Sequence, residues 1–261
     1  METGFSRIAI PQHSGKPRQK GLTMMYDDGM GLRIQRDLLE TAGAYLDLAK
    51  ISVGTSRLLS EKILKEKVRI YEEHQVNVFP GGQFLEYAIF HQGIDVVGYY
   101  FEEVCRVGYR TVEISTNNLN IDIEEKVRLI RMAEKEFGLT VLGEVGAKET
   151  SSLTSELIRE ADLCLRAGSW KVLVEAAELT RKEDGAPIIP VIEEMGSTLN
   201  ISEMIFELPG VWIPNVHSHQ IFHMGAMLIE LIGCEVNVGN VAPERILELE
   251  TLRTGLGTVL V

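Results

Sequence analysis

Apolar residues along this chain alternate between two periods. Short runs of near-continuous apolar positions give way to stretches in which apolar residues recur every three or four places. The first pattern is that of a covered strand and the second that of an amphipathic helix. Strand-like runs occur at 22–26 (LTMMY), 45–52 (YLDLAKIS), 76–82 (VNVFPGG), 110–115 (RTVEIS) and 139–146 (LTVLGEVG). Others follow at 171–176 (KVLVEA), at the end of 201–209 (ISEMIFELP) and at 235–240 (EVNVGN). Helical patterns fill 32–43, 60–74, 83–106, 123–136 and 153–167, and the third of these is expected to split near Gly93. The segment 182–197 reads as a loop and a short helix, and helical segments follow each of the last two strands.

Eight strand-then-helix units in about 240 residues have the length and rhythm of a (β/α)8 TIM barrel, an α/β fold. Period alone does not close a sheet, so a doubly wound arrangement satisfies the same alternation. Pro11, Gly15 and Pro17 break regular structure early. Residues 1–20 are therefore expected to form an irregular arm and residues 21–261 a single barrel domain.

Composition narrows the partners. Lys and Arg total 26 against 38 Asp and Glu, a formal charge of -12 over 261 residues. Nucleic-acid binding needs clustered cations, so this balance argues against it. No apolar run is long enough to span a bilayer, and the first 21 residues lack the apolar stretch of a signal peptide. A soluble cytoplasmic protein with no membrane partner is expected. Cys105, Cys164 and Cys234 are widely spaced and read as buried thiols. Barrels of this size commonly self-associate, so a homo-oligomer is expected.

The candidate chemistry lies at the strand ends, which in a barrel converge on one mouth. Asp27 ends the first strand, Lys50 lies near the end of the second, and Glu113 and Ser115 end the fourth. Glu144 and Lys148 close the fifth, Glu175 and Glu178 the sixth, and Glu207 the seventh; Asn237, Gly239 and Asn240 occupy the eighth. Each of these residues would equally serve as a helix cap or bond within a barrel layer. Converging carboxylates repel unless a cation offsets them, and oxygen ligands suit Mg2+. Asp27, Glu113 and Glu144 are the candidate ligands, although spacing does not choose among the acids. Lys50 and Lys148 are placed to neutralise anionic oxygens, and Lys148 also to donate a proton. Gly239 and Asn240 precede a helix start, a place for an anion. His217, His219 and His223 have helical spacing, and substrate contact or capping without metal is the simpler reading.

The ordered motifs KPRQKGLTMMYDDG (16–29), KISVGTS (50–56), FPGGQFLE (79–86), VEIS (112–115) and EVGAK (144–148) continue with VEAAE (174–178), FELP (206–209), VNVGN (236–240) and LETLRTGL (249–256). Through them the chain resembles the phosphosulfolactate synthase family over about residues 16–257. The resemblance implies a (β/α)8 barrel that adds sulfite to phosphoenolpyruvate with Mg2+, giving (2R)-phospho-3-sulfolactate for coenzyme M biosynthesis. It carries functional roles onto Asp27, Lys50, Glu113, Glu144, Lys148, Glu175 and Glu178, with Lys50, Lys148, Glu175 and Glu178 read as catalytic. Ser115, Asn237, Gly239, Asn240, His219 and Gln220 are read as substrate or phosphate contacts, and Lys148 as the acid that protonates C2.

Departures from the family pattern gather at the expected mouth. The family's arginine position within its E(G/A)RESG motif is Ala177 here. Either Arg181, Arg57 or a histidine supplies the missing cation, or the pocket serves another nucleophile or phosphorylated acid. The family also resembles a plant heat-stress-associated protein, which leaves a non-enzymatic branch open.

Overall fold

The computed structural model describes residues 4–11, 13–116, 118–119, 121–147 and 152–257. β1 (Thr23–Asp27) is followed by α1 (Leu32–Ala42), and β2 (Leu48–Ile51) by α2 (Thr55–Leu58) and α3 (Glu61–Glu73). β3 (Asn77–Pro80) leads to α4 (Gly82–Gln92) and α5 (Val97–Val107), β4 (Thr111–Ile114) to α6 (Ile123–Lys135), and β5 (Thr140–Val145) to α7 (Thr154–Ala167). β6 (Ser169–Val174) precedes α8 (Ala176–Leu179) and α9 (Ile189–Thr198), β7 (Met204–Glu207) precedes α10 (Ser218–Ile232), and β8 (Val238–Val241) precedes α11 (Ile246–Thr254).

The strands form one sheet in the order β3-β2-β1-β8-β7-β6-β5-β4, and every ladder in it is parallel. β1 bonds to β8, as closure requires and a doubly wound sheet does not. β3 and β4, at the two ends of this order, pack side by side and bring the sheet nearly to closure. The architecture is a (β/α)8 barrel. Gly93 separates α4 from α5 at φ +81°, a left-handed conformation that costs glycine little, which is why the long helical pattern breaks there.

Strand parity sorts the core into two layers. Met24, Leu48, Phe79, Leu142, Leu173 and Ile205 pack together inside the barrel. Their strand neighbours Met25, Ala49, Val78, Val141, Val172, Val174, Met204 and Phe206 face the helices in the larger outer core. Each buried aliphatic side chain contributes about 1.5–3 kcal/mol, so both layers hold the strands firmly in register. Of the three cysteines expected to be buried, Cys164 is; Cys105 and Cys234 are exposed, because each lies on the outer side of the helical layer or at a loop. Among the described residues no helix is long and apolar enough to cross a membrane.

His13, Lys16 and Arg18 pack against the N-terminal end of the barrel. Arg18 pairs with Asp47 at 2.9 Å and His13 meets Glu250 at 2.9 Å. The Lys16 ammonium donates to the carbonyls of Gly43, Leu46 and His74 at 3.1, 2.6 and 2.8 Å. Burial lowers the Lys16 pKa to about 8, against the opposing charge of Asp47 and with the help of Arg18. A depressed folded value adds stability above the unfolded value of 10.5 and loses it as pH falls through about 8. Wild type should therefore gain stability relative to Lys16→Met between about pH 8 and 10.5. Urea denaturation across that range checks this, and a flat difference would count against a desolvated ammonium.

Candidate metal and anion site at the barrel mouth

The parity that fills the barrel with apolar side chains also decides which charged residues enter its mouth. In β2 the inward series that holds Leu48 continues to Lys50. In β5 Leu142 is followed by Glu144, in β7 Ile205 by Glu207, and beyond β6 Leu173 is followed by Glu175. In β4 Val112 and Ile114 face the helices, so Glu113 faces inward. These five residues line a cavity of about 620 Å3 above the apolar plug, together with Tyr26, Asp28, Lys182, Trp212 and Asn240.

Lys50 lies at the floor, 2.7 Å from Glu207 and 3.3 Å from Glu113, with 12% of its side chain exposed and only 2% of either carboxylate's. Burial by itself would lower the Lys50 pKa, but the charges of Glu113, Glu207 and Glu144 raise it well above the ordinary lysine value. The group stays an ammonium. Burial drives the Glu113 pKa upward; Lys50 opposes this, while Glu144 and Glu207 add to it. One Glu113 oxygen, Oε2, is buried without a hydrogen-bond partner.

Carboxylate oxygens of Glu144, Glu175 and Glu207 lie within 4.8 Å of one another, and all three residues are buried. Such crowding of like charges is costly unless a cation shares the site. The donors are all hard oxygens, which suits a divalent cation of the Mg2+ or Ca2+ type. The triad is a buried set positioned to hold a metal ion, and the unpartnered Glu113 oxygen beside it shows polar capacity that the protein alone leaves unfilled.

The structure redistributes the residues that the sequence nominated. The expected ligands were Asp27, Glu113 and Glu144; the converging set is Glu144, Glu175 and Glu207. Asp27 has the outward parity of Met25 and sits fully buried behind the sheet, 2.7 Å from Lys67 and 2.6 Å from the Tyr71 hydroxyl, both on α3. Its other oxygen accepts from the Gly29 and Met30 amides at 2.8 and 2.9 Å, so it holds the β1–α1 turn. Its neighbour Asp28 lines the cavity instead. Glu113 pairs with Lys50 rather than joining the triad.

Glu178 turns to the loop after β5, accepting from the Ala147 amide at 2.8 Å and from the Ser152 amide and hydroxyl at 3.0 and 2.6 Å. Ser115 donates to Glu86 of α4 at 2.8 Å, which ties the β4–α6 loop to that helix. Gly239 faces inward, and a Cβ there would come within 2.8 Å of Met24, 3.1 Å of Ile205 and 3.3 Å of Glu207, so its bareness makes room chiefly for the apolar plug below the mouth. Arg181 pairs side-on with Asp184 at 3.1 and 2.6 Å, within its own turn. His219 is exposed at the start of α10, and the Gln220 side chain accepts from the His217 amide at 3.1 Å. Lys148 lies outside the described residues.

Asn237 precedes β8 and lies at the opposite end of the barrel from the mouth. Its Oδ1 accepts from the Leu22 amide at 2.9 Å, and its Nδ2 donates to the carbonyls of Ser202 and Met204 at 2.9 and 2.8 Å. It joins β1, β7 and β8 from a fully buried position. Asn237→Ala should lower stability by about 2–3 kcal/mol, because the buried Leu22 amide and Met204 carbonyl lose this partner, while the Ser202 carbonyl keeps the Lys171 ammonium at 2.7 Å. Metal affinity should stay the same. Urea denaturation and metal titration check the pair of expectations, and a loss of metal binding without a loss of stability would return Asn237 to the site.

The sequence places Glu207 at the end of the seventh strand, with no role assigned as ligand or catalyst. The available signal was parity: two residues beyond the apolar Ile205, it continues the inward series of its strand, as Glu144 does after Leu142. Lys182 went unnoticed for a different reason, since only the folding of the loop after β6 brings it to the cavity.

The family model for (2R)-phospho-3-sulfolactate synthase (ComA) matches residues 11–258. The chain is 38% identical to a phosphosulfolactate synthase of Methanothermobacter thermautotrophicus, over 94% of this chain and 93% of that protein. It is 31% identical to one from Methanocaldococcus jannaschii, over 91% of this chain and 92% of that protein. Among solved structures it is similar to 3-hexulose-6-phosphate synthase from Salmonella typhimurium, with a TM-score of 0.56 at 12% identity, over 91% of this chain and 100% of that one. The last likeness concerns the barrel alone. With the family match spanning nearly all of the barrel and its mouth, the chain belongs to the phosphosulfolactate synthase family of enzymes.

Proposed function

We propose that this enzyme adds sulfite to C3 of phosphoenolpyruvate in a Mg2+-dependent reaction that gives (2R)-phospho-3-sulfolactate. The observation that carries the reading is the convergence of Glu144, Glu175 and Glu207 beside the Lys50 ammonium in one cavity of a family member. In this reading the sulfite sulfur forms the new bond to C3, the C2–C3 π pair moves to C2, and a proton is added there. No oxidation or reduction occurs. Glu144, Glu175 and Glu207 would hold a divalent cation, which when bound would supply Lewis-acid charge for the oxygens of the substrate.

Lys50 serves in this scheme as a fixed positive charge. Its carboxylate neighbours keep it protonated, so it draws in anionic oxygens and offsets the negative charge that develops next to the carboxylate during addition. Glu113 and Glu207 both accept from the Lys50 ammonium, at 3.3 and 2.7 Å, which fixes its position. Lys148 is the proposed acid toward C2. Self-association of the barrel belongs to the same reading, and sedimentation velocity measures it.

The test is product formation from phosphoenolpyruvate and sulfite, followed by phosphorus NMR and mass spectrometry. Turnover should vanish with EDTA and return with Mg2+. Absence of product across a panel of divalent metals would overturn the assignment. A second reading, with another nucleophile in place of sulfite, is favoured by the wall around Ala177, which packs against the apolar cluster of Ala176, Ile213 and Val216. Competition among nucleophiles in the same assay separates the two.

A further inference from the structure

We infer that Trp212 supplies the apolar face of the substrate site and packs against the methylene carbon, C3, of bound phosphoenolpyruvate. The inference rests on the substrate proposed above and adds the residue that recognises its uncharged end. The mouth cavity is divided by chemistry. Glu113, Glu144, Glu175 and Glu207 form a floor in which each residue is at most 3% exposed. The rim of the same cavity carries Val53, Val211 and Trp212, exposed by 56, 81 and 54%, with Ile213 and Pro214 beside them. Phosphoenolpyruvate is divided in the same way, with its charge on carboxylate and phosphoryl oxygens and C3 as its apolar end. Oxygens drawn down by the Lys50 ammonium, and by a cation in the glutamate triad, leave C3 to face the apolar rim.

The fold places the ring. Trp212 lies on the β7–α10 loop, whose base is anchored twice. Ile213 and Val216 are buried with Ala176 at the start of α8, and the Asn215 side chain donates to the Lys182 carbonyl at 2.8 Å. The Ile213 amide donates to the Gly210 carbonyl at 3.0 Å, which turns the loop sharply around Val211 and Trp212. A Cβ at Gly210 would fall 1.9 Å from the indole, so the ring lies directly across the bare glycine. On the cavity side the ring meets Tyr26 edge-on, with centroids 6.5 Å apart and planes at 80°. Tyr26 continues the inward series of Met24 in β1 and lines the cavity itself. The indole is thus held by its own loop and by a barrel strand, with half of its surface left open at the rim. A large apolar group kept exposed beside a charged site marks a place for a ligand's apolar part.

The test uses the Mg2+-loaded protein and two ligands, phosphoenolpyruvate and 2-phosphoglycolate, which keeps the carboxylate and phosphoryl groups but lacks C3. Calorimetric titration should show the wild type preferring phosphoenolpyruvate by about fourfold, as burial of one methylene-sized group implies. Trp212→Ala should lose that preference through weaker phosphoenolpyruvate binding, with phosphoglycolate affinity unchanged, and Trp212→Phe should keep most of it. Circular dichroism establishes that each variant is folded. Trp170→Phe, near the start of β6 at the far end of the barrel, leaves Trp212 as the remaining one of two tryptophans. In that protein phosphoenolpyruvate should move the emission to shorter wavelength and reduce quenching by acrylamide. An unchanged preference in Trp212→Ala, equal losses for both ligands, or unchanged emission would overturn the inference. Shielding already present without ligand and lost on dilution would assign the ring to a contact between copies, and would overturn it too. These are binding measurements, so a protein that loses its preference in Trp212→Ala yet does not turn over sulfite would uphold Trp212 and defeat the proposed reaction.

Discussion

Replacing Lys50 with methionine will abolish turnover and lower stability in the metal-free protein by about 3–5 kcal/mol. The size follows from what remains behind. Glu113 and Glu207, each 2% exposed at the side chain, lose the ammonium that they share, and Glu144 loses a nearby countercharge. Removing one partner of a buried ion pair is more costly than the pair is stabilising, because the surviving charges cannot regain their water. The loss should shrink when Mg2+ is added, since a cation in the glutamate triad replaces part of the missing charge. A second variant, Lys50→Met with Glu113→Gln, should recover part of the stability while staying inactive. Urea denaturation with and without Mg2+, together with the sulfite assay, measures all of this. A Lys50→Met protein with wild-type stability would show that the floor carboxylates are neutral, and one with wild-type turnover would remove Lys50 from the chemistry.

The second large effect has opposite signs for stability and for binding. Glu144→Gln should weaken divalent-metal affinity by about 100-fold, because the triad loses one of its three charged ligands. The same change should stabilise the metal-free protein by about 1–2 kcal/mol, because it relieves repulsion among buried carboxylates and keeps the side-chain volume. Glu207 is a less direct probe of the triad, since it also holds Lys50 at 2.7 Å. Thermal unfolding in EDTA and calorimetric titration with Mg2+ give the two numbers. If metal affinity were unchanged, the triad would not be the metal site.

These expectations depend on knowing which strand-end residues face inward, and that was only partly legible beforehand. The alternation of apolar periods placed all eight strands, and Gly93 marked the break between α4 and α5, because such signals are local. Asp27 shows where local reading stops. It ends a strand, as Glu207 does, yet it takes the parity of Met25 and meets Lys67 and Tyr71 behind the sheet. One step along a strand reverses the face, so a strand end is not yet a position at the mouth. Asn237 failed for the related reason that β8 starts one residue later, which leaves its side chain at the far end of the barrel. Glu178 and Ser115 are near the mouth in sequence but hold loops, and no spacing rule distinguishes a group that binds a ligand from one that binds a backbone amide.

The sequence alone determined the α/β class, the count and order of the units, the family, and the acidic and lysine inventory of the strand ends. Each follows from periodicity or from ordered motifs that survive without coordinates. Tertiary structure alone decided that Glu144, Glu175 and Glu207 converge while Asp27 turns away, and that Lys182 rather than Arg181 lines the cavity. The physical reason is that convergence depends on barrel closure, strand parity and loop packing. Those bring together β2, β4, β5, β6 and β7, which are far apart along the chain, and no local pattern records the distance between them.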